Sequence, residues 1–274
     1  MFERIQRGWE LTKSSYRCLM LDKEMLVFPL VSGVACIAVL ASFALPLIGS
    51  DYLVTTLEED SLNDFRAYVL LFLFYLANYF VIIFFNSALI ACAIIRFRGG
   101  DPTLVDGFRA AFARVPQIFL WALVSATVGT ILRVIESRSG RVGEFVAGLL
   151  GMGWTVVGYF VVPVIVVEKS GPFEALNRSV SILRKSWGEA LTANFATTLL
   201  IFVLALAAVL PGLVIGAVSP LAGFAATVVL WVLLALVSSA LNGITRGAVY
   251  LYAADGTTPS QFDGELLRGA FTRK

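Results

Sequence analysis

Long apolar stretches alternate with short polar ones along this chain. Six stretches approach or exceed the roughly 20 residues that a helix needs to cross a bilayer. They run over 25–49, 67–95, 116–135, 145–167, 190–218 and 221–252. They are longer than a barrel strand and do not alternate polar with apolar positions, so the pattern predicts helices. Only Ser219 and Pro220 separate the last two stretches, which predicts a tight hairpin there.

The composition supports a membrane environment for these stretches. Of the 274 residues, 58% are hydrophobic and only 15% are charged, and the mean hydropathy is +0.85. A soluble domain carries about 25% charged residues. The predicted fold class is therefore an all-α polytopic membrane protein with about six transmembrane helices in three hairpins.

The basic residues are distributed unevenly between the two ends of the predicted spans. Of the 21 Lys and Arg residues, 17 lie toward one end of the predicted spans. The other end has four, which are Arg66, Arg133, Arg138 and Arg141. Cytoplasmic segments of membrane proteins carry the excess of Lys and Arg. The sequence therefore predicts that both termini and the segments 96–115 and 168–189 are cytoplasmic.

A similar pattern follows each even-numbered span. Pro102, Pro172 and Pro259 each come after a turn and before a segment with early acidic residues and a later arginine. Proline and early acids suit the first turn of a helix. Near the N-terminus, apolar side chains recur at helical spacing among basic ones, at Phe2, Ile5, Trp9, Tyr16 and Leu19. The pattern predicts amphipathic interfacial helices on the cytoplasmic side and repeat-like units 1–95, 102–167 and 172–252 in one membrane domain. A final interfacial helix is expected at 258–272.

The residue types most often used in catalysis are scarce. The sequence has no histidine, and its three cysteines share no short spacing. Nucleotide-binding and metalloprotease motifs are also absent. We therefore expect no enzymatic activity, no catalytic, cofactor-binding or metal-binding residues and no cofactor. The net charge of +2 gives no indication of a nucleic-acid partner.

Two groups of residues inside the spans are candidates for function or assembly. Polar side chains within apolar segments are functional candidates by default. They form a candidate intramembrane polar cluster of Asn78, Asn86, Asn194, Asn242, Arg246 and Glu168. Small residues at four-residue spacing let helix backbones approach closely. They form a candidate helix-packing face of Ala235, Ser239, Gly243 and Gly247.

Several motifs give the chain a resemblance to a known family. They are Phe2-Glu-Arg-Ile-Gln-Arg-Gly-Trp-Glu, Asp22-Lys-Glu-Met-Leu-Val-Phe-Pro29, Trp121-Ala-Leu-Val-Ser-Ala-Thr-Val-Gly129, Tyr159-Phe-Val-Val-Pro163, Glu174-Ala-Leu-Asn-Arg-Ser179 and Ser186-Trp-Gly188. With these motifs the chain resembles a family of uncharacterised prokaryotic multi-span integral membrane proteins, a domain of unknown function. The resemblance covers nearly the whole chain. It implies the plasma membrane of a prokaryote and supplies no activity.

Two hypotheses about function follow. The first is a non-enzymatic membrane-organising or scaffolding protein, in which basic interfacial helices contact anionic headgroups on the cytoplasmic face. This hypothesis includes association with a second copy or with another membrane protein. The alternative is a transporter or channel for a small solute or lipid, which the repeats and the asparagines within the spans favour.

Overall fold

The computed structural model describes residues 2–48, 65–138 and 140–256, and all of its longer elements are helices. In chain order they are α1 (Phe2–Leu21), a short 3₁₀ helix (Lys23–Leu26), α2 (Val27–Ile48), α3 (Phe65–Phe97), α4 (Leu104–Phe112), α5 (Val115–Arg138), α6 (Gly140–Val157), α7 (Val161–Glu168), α8 (Pro172–Ala207), α9 (Val209–Gly216) and α10 (Pro220–Asp255). The predicted interfacial helix 258–272 lies outside the described residues, as does the acidic segment 51–64.

Six helical segments in the described residues are long and apolar enough to cross a membrane. They are Lys23–Pro46, Phe65–Phe97, Val115–Arg138, Gly140–Glu168, Thr198–Gly216 and Pro220–Ala254. Each corresponds to one predicted span. The prediction of an all-α polytopic membrane protein is confirmed.

The fourth span is broken into α6 and α7 by a turn at residues 158–160. Pro163 has no N–H to offer the carbonyl of Tyr159, so a regular helix cannot continue through this point. Ser179 of α8 compensates, because its Oγ accepts a hydrogen bond from Phe160 N at 3.1 Å and donates one to Val157 O at 2.6 Å. Backbone groups released within a bilayer must find such partners.

The segments after Pro102 and Pro172 differ from each other. The predicted short helix after Pro102 is present as α4, and a capping box begins it: Asp106 N donates to Thr103 Oγ1 at 3.3 Å, and Thr103 N donates to Asp106 Oδ2 at 3.1 Å. After Pro172, by contrast, the helix continues without a break into the fifth span as α8. The turn chemistry predicted where this helix begins, and the absence of proline between Pro172 and Pro211 allows it to continue.

The predicted hairpin between the last two spans is present. Ser219 caps α10 and Pro220 occupies its first turn. The helices α9 and α10 approach so closely that a Cβ on Gly223 would lie 2.6 Å from the backbone nitrogen of Gly216. The indole of Trp231 also donates to Ala205 O at 3.0 Å. The close approach of the backbones at Gly216 and Gly223 and the hydrogen bond of Trp231 thus stabilise this hairpin.

The described residues form two compact units. The first consists of residues 2–30, 88–108 and 181–256, and the second of residues 31–48, 65–87, 109–138 and 140–180. The core of the first combines side chains from α1, the end of α3 and the end of α10. The core of the second includes Trp121 stacked on Trp154, with ring centroids 5.3 Å apart. Compactness does not bear on whether the repeats 1–95, 102–167 and 172–252 arose by duplication, which stays a prediction.

Candidate functional site

In the first unit, α1 packs against α10 through a polar seam. Thr12, Ser14 and Ser15 are buried on this side of α1. Ser15 Oγ lies 2.8 Å from Thr245 Oγ1, and the Thr245 hydroxyl donates to Leu241 O at 2.7 Å, so Ser15 is the donor to Thr245. Buried hydroxyls that are satisfied in this way stabilise a contact between helices. The seam fixes which side of α1 faces outward.

A cluster of charged residues lies beside this seam. Arg96 at the end of α3 donates two hydrogen bonds to Asp22, including Nε to Oδ2 at 2.5 Å, and it also pairs with Asp101. The Asp22 side chain is only 9% exposed, whereas that of Asp101 is 90% exposed. Burial raises the pKa of the nearby Cys18 thiol to about 12, and the Asp22 carboxylate contributes to the same shift. The thiol therefore stays protonated at neutral pH, which makes it a poor nucleophile.

The outward side of α1 carries aromatic and basic side chains together. We call it the aromatic–basic face and define it as Trp9, Lys13, Tyr16, Arg17 and Met20. All five are exposed, and Trp9 and Tyr16 each keep 48% of their surface accessible. The sequence pattern placed Leu19 on the same side, but the structure buries it together with Leu11 and Cys18. The difference arises because the hydroxyls of Thr12, Ser14 and Ser15, and not the aromatic rings, face the protein.

The structure places only half of the candidate helix-packing face in a contact. Gly243 and Gly247 of α10 are buried against α3. A Cβ on Gly243 would overlap the Leu89 side chain, and one on Gly247 would lie 3.6 Å from the ring of Phe97. Ser239 is half-buried and Ala235 is exposed. The two glycines bring α10 next to α3, whereas Ala235 lies beyond the contact.

The candidate polar cluster is divided between the two units. In the first, Asn242 donates to Ser238 Oγ at 3.5 Å and Arg246 is half-buried. In the second, Asn78 donates to Phe74 O of its own helix at 2.9 Å, and Asn86 is half-buried. Glu168 accepts a hydrogen bond from Arg178 Nε at 2.9 Å. The side chain of Asn194 lies outside the described part of the chain. A role for these residues as one cluster stays a prediction.

A cavity in the second unit was not anticipated from the sequence. It has a volume of about 360 Å³ and lies between α3, α5 and α6. Its polar lining comes from the side chains of Tyr75, Tyr79, Arg133, Glu136 and Glu144. These residues belong to three predicted spans or their ends, and no spacing along the chain relates one helix's residues to those of the other two. The sequence signal for the site is the pair of tyrosines at four-residue spacing, Tyr75 and Tyr79, within an apolar span.

Glycines shape two walls of this cavity. A Cβ on Gly129 of α5 would lie 3.3 Å from the ring of Tyr75 and 3.5 Å from the Tyr79 hydroxyl, so the rings pack directly on the helix backbone there. A Cβ on Gly148 of α6 would meet no atom within 4 Å. Arg133 donates to Glu136 at 2.7 Å, and both side chains are more than a third exposed. The cavity thus combines an aromatic wall, an ion pair and open space.

The comparisons with known proteins place the chain in a family. The model of a family of unknown function, DUF6159, matches residues 65–260, which is more than half of the chain. A comparison with curated proteins gave no match. The matched residues include five of the six candidate membrane spans. This multi-pass membrane protein of unknown function belongs to the DUF6159 family.

Proposed function

We propose that the protein is a non-enzymatic component of the prokaryotic plasma membrane that organises anionic lipid at the cytoplasmic face. The observation that carries the proposal is the aromatic–basic face of α1. Trp and Tyr are enriched at the level of the headgroups, and Lys and Arg attract anionic lipids at about 1 kcal/mol each near the surface. Trp9, Lys13, Tyr16 and Arg17 present both chemistries on one exposed side.

The way α1 is attached supports this role. The hydrogen bond from Ser15 to Thr245 and the pair between Arg96 and Asp22 hold the helix against α10 and α3. The face is therefore ordered before any lipid arrives, which lowers the entropic cost of binding. The proposal also places α1 on the cytoplasmic side, since the surrounding ends of the spans carry most of the basic residues.

The test uses full-length protein in nanodiscs that contain phosphatidylglycerol and phosphatidylcholine. The lipid that remains bound after extraction into detergent is quantified by mass spectrometry. We expect Arg17→Glu to lower the retained phosphatidylglycerol, and high salt to lower it for the parent protein, because screening weakens exposed charge pairs. Arg141→Glu changes the net charge equally at the opposite end of the spans and should retain the parental amount. Equal retention by both variants would overturn the proposal.

A second candidate function, a transporter for a small solute or lipid, is favoured by the cavity between α3, α5 and α6. Its volume of about 360 Å³ lies within the range of small-molecule sites, about 300–1,000 Å³. The lining of this cavity does not include Asn78 or Asn86. Uptake of candidate solutes into proteoliposomes is the measurement that would favour this function over lipid organisation.

A further inference from the structure

The geometry points to the cavity of the second unit as a binding site for an organic ammonium group. The cavity lies between α3, α5 and α6, and it is separate from the α1 face on which the proposed lipid-organising role rests. The inference therefore stands or falls independently of that role. The ammonium group could be carried by a free amine or by the headgroup of a lipid, and both sources share the chemistry that the lining recognises.

The charge of the lining favours a cation. Glu136 and Glu144 bring two carboxylates, and Arg133 brings one guanidinium, which already pairs with Glu136. The charged lining therefore has a formal charge of −1, with Glu144 as the excess carboxylate. An ammonium ion in the cavity would balance this charge.

The aromatic wall distinguishes an organic cation from a metal ion. Tyr75 and Tyr79 both line the cavity, with ring centroids 6.2 Å apart and ring planes inclined by 60°, so a cation in the cavity would lie beside two aromatic rings and two hydroxyl groups. Ring faces attract ammonium groups, and aromatic cages are a common way to hold them. Hard metal ions instead need about six oxygen ligands. The described residues include no group of three or more His, Cys, Asp or Glu placed to hold a metal ion.

The size of the cavity limits the ligand. About 360 Å³ accommodates a headgroup or a small amine but not a whole lipid. Gly148 leaves part of this space open, because no atom would lie within 4 Å of a Cβ there. A larger side chain at this position should occupy the cavity without displacing any part of the protein.

The experiment measures binding by full-length protein in nanodiscs. Choline and ethanolamine are the free probes, and 3,3-dimethylbutan-1-ol is the neutral analogue of choline. Binding is followed by calorimetric titration and by the rise in melting temperature that a ligand of the native state produces. A second arm compares nanodiscs of phosphatidylethanolamine with nanodiscs of phosphatidylglycerol. We expect saturable binding of at least one cation and no comparable binding of the neutral analogue, or selective stabilisation by phosphatidylethanolamine if the ammonium comes from lipid.

Three variants assign the binding to this cavity. Glu144→Gln should weaken it up to about fivefold, since an ion pair made by an exposed carboxylate contributes up to about that factor. Gly148→Leu should abolish it. Gly153→Leu is the matched control: Gly153 lies on the same helix, also has open space around its Cβ and does not line the cavity, so binding should be unchanged. The inference is overturned if neither cation nor phosphatidylethanolamine binds selectively, or if Glu144→Gln and Gly148→Leu bind as the parent does.

Discussion

The polar side chains between α1, α3 and α10 in the first unit are arranged differently from those around the cavity of the second. In the first, Ser15 is paired with Thr245 and Arg96 with Asp22, and these contacts fill the space between helices. In the second, Tyr75, Tyr79 and Glu144 line open space of about 360 Å³. Polar groups that satisfy one another within a bilayer mainly hold helices together. Polar groups that converge on a cavity have the arrangement of a binding site. The paired polar groups of the first unit thus stabilise helix packing, whereas those of the second line a cavity that could hold a ligand.

The largest effect should come from enlarging Gly243 in the first unit. Gly243→Leu would drive a side chain of four carbon atoms into Leu89, and we expect this overpacking to cost more than about 3 kcal/mol, the upper end of the usual range. We expect a clear loss of melting temperature in detergent, and oligomer size should be recorded on the same samples. Ala235→Leu is the matched control, since Ala235 lies at the same four-residue spacing but is exposed. A parental melting temperature for Gly243→Leu would show that α3 and α10 are not closely packed.

The buried ion pair gives a smaller effect with a control that shares its partner. Asp22→Ala leaves the guanidinium of Arg96 without its buried acceptor, and we expect a loss of about 2–3 kcal/mol, less than for a fully buried pair because Arg96 is partly exposed. Asp101→Ala removes the other, exposed partner and should cost less than about 1 kcal/mol. Unfolding in denaturant measures both. Similar losses of stability for the two variants would contradict a larger contribution from the buried Asp22 than from the exposed Asp101.

Variants at the cavity of the second unit should change stability least. Gly148→Leu and Tyr79→Phe alter the lining of a cavity, so neither breaks a tight contact, and Gly148 has free space around it. We expect melting temperatures close to that of the parent protein, within about 0.5 kcal/mol of stability. A large loss for Gly148→Leu would indicate that the space is filled in solution and that the contrast between the two units is wrong.

The sequence predicted the spans well because their length and hydropathy are local properties. It also located the final hairpin, since Ser219 and Pro220 are a recognisable helix start. It did not show that α8 is continuous, because an interfacial helix and a helix that enters the membrane can begin with the same turn residues. The break at residues 158–160 depends on Pro163 together with Ser179, which is distant along the chain.

The candidate sites were less predictable than the spans, because they depend on contacts between residues that are distant along the chain. Gly243 and Gly247 lie four residues apart and are both buried, whereas Ala235 at the same spacing is exposed. Spacing along one helix cannot show where its contact with α3 ends. The cavity joins Tyr75 on α3, Arg133 on α5 and Glu144 on α6. No periodicity links residues on three separate helices. Their meeting follows from tertiary packing alone.

The most direct test combines sidedness with access to the cavity. Single cysteines are introduced at Gly148 and at Lys13 in a background without Cys18, Cys36 and Cys92, and intact cells are treated with a membrane-impermeant thiol reagent. The account predicts that Gly148→Cys reacts from outside, because it lines an open cavity near the ends of the spans opposite the basic, cytoplasmic side. It also predicts that Lys13→Cys reacts only after the membrane is permeabilised. Reaction of Lys13→Cys in intact cells, or protection of Gly148→Cys from the external reagent, would contradict it.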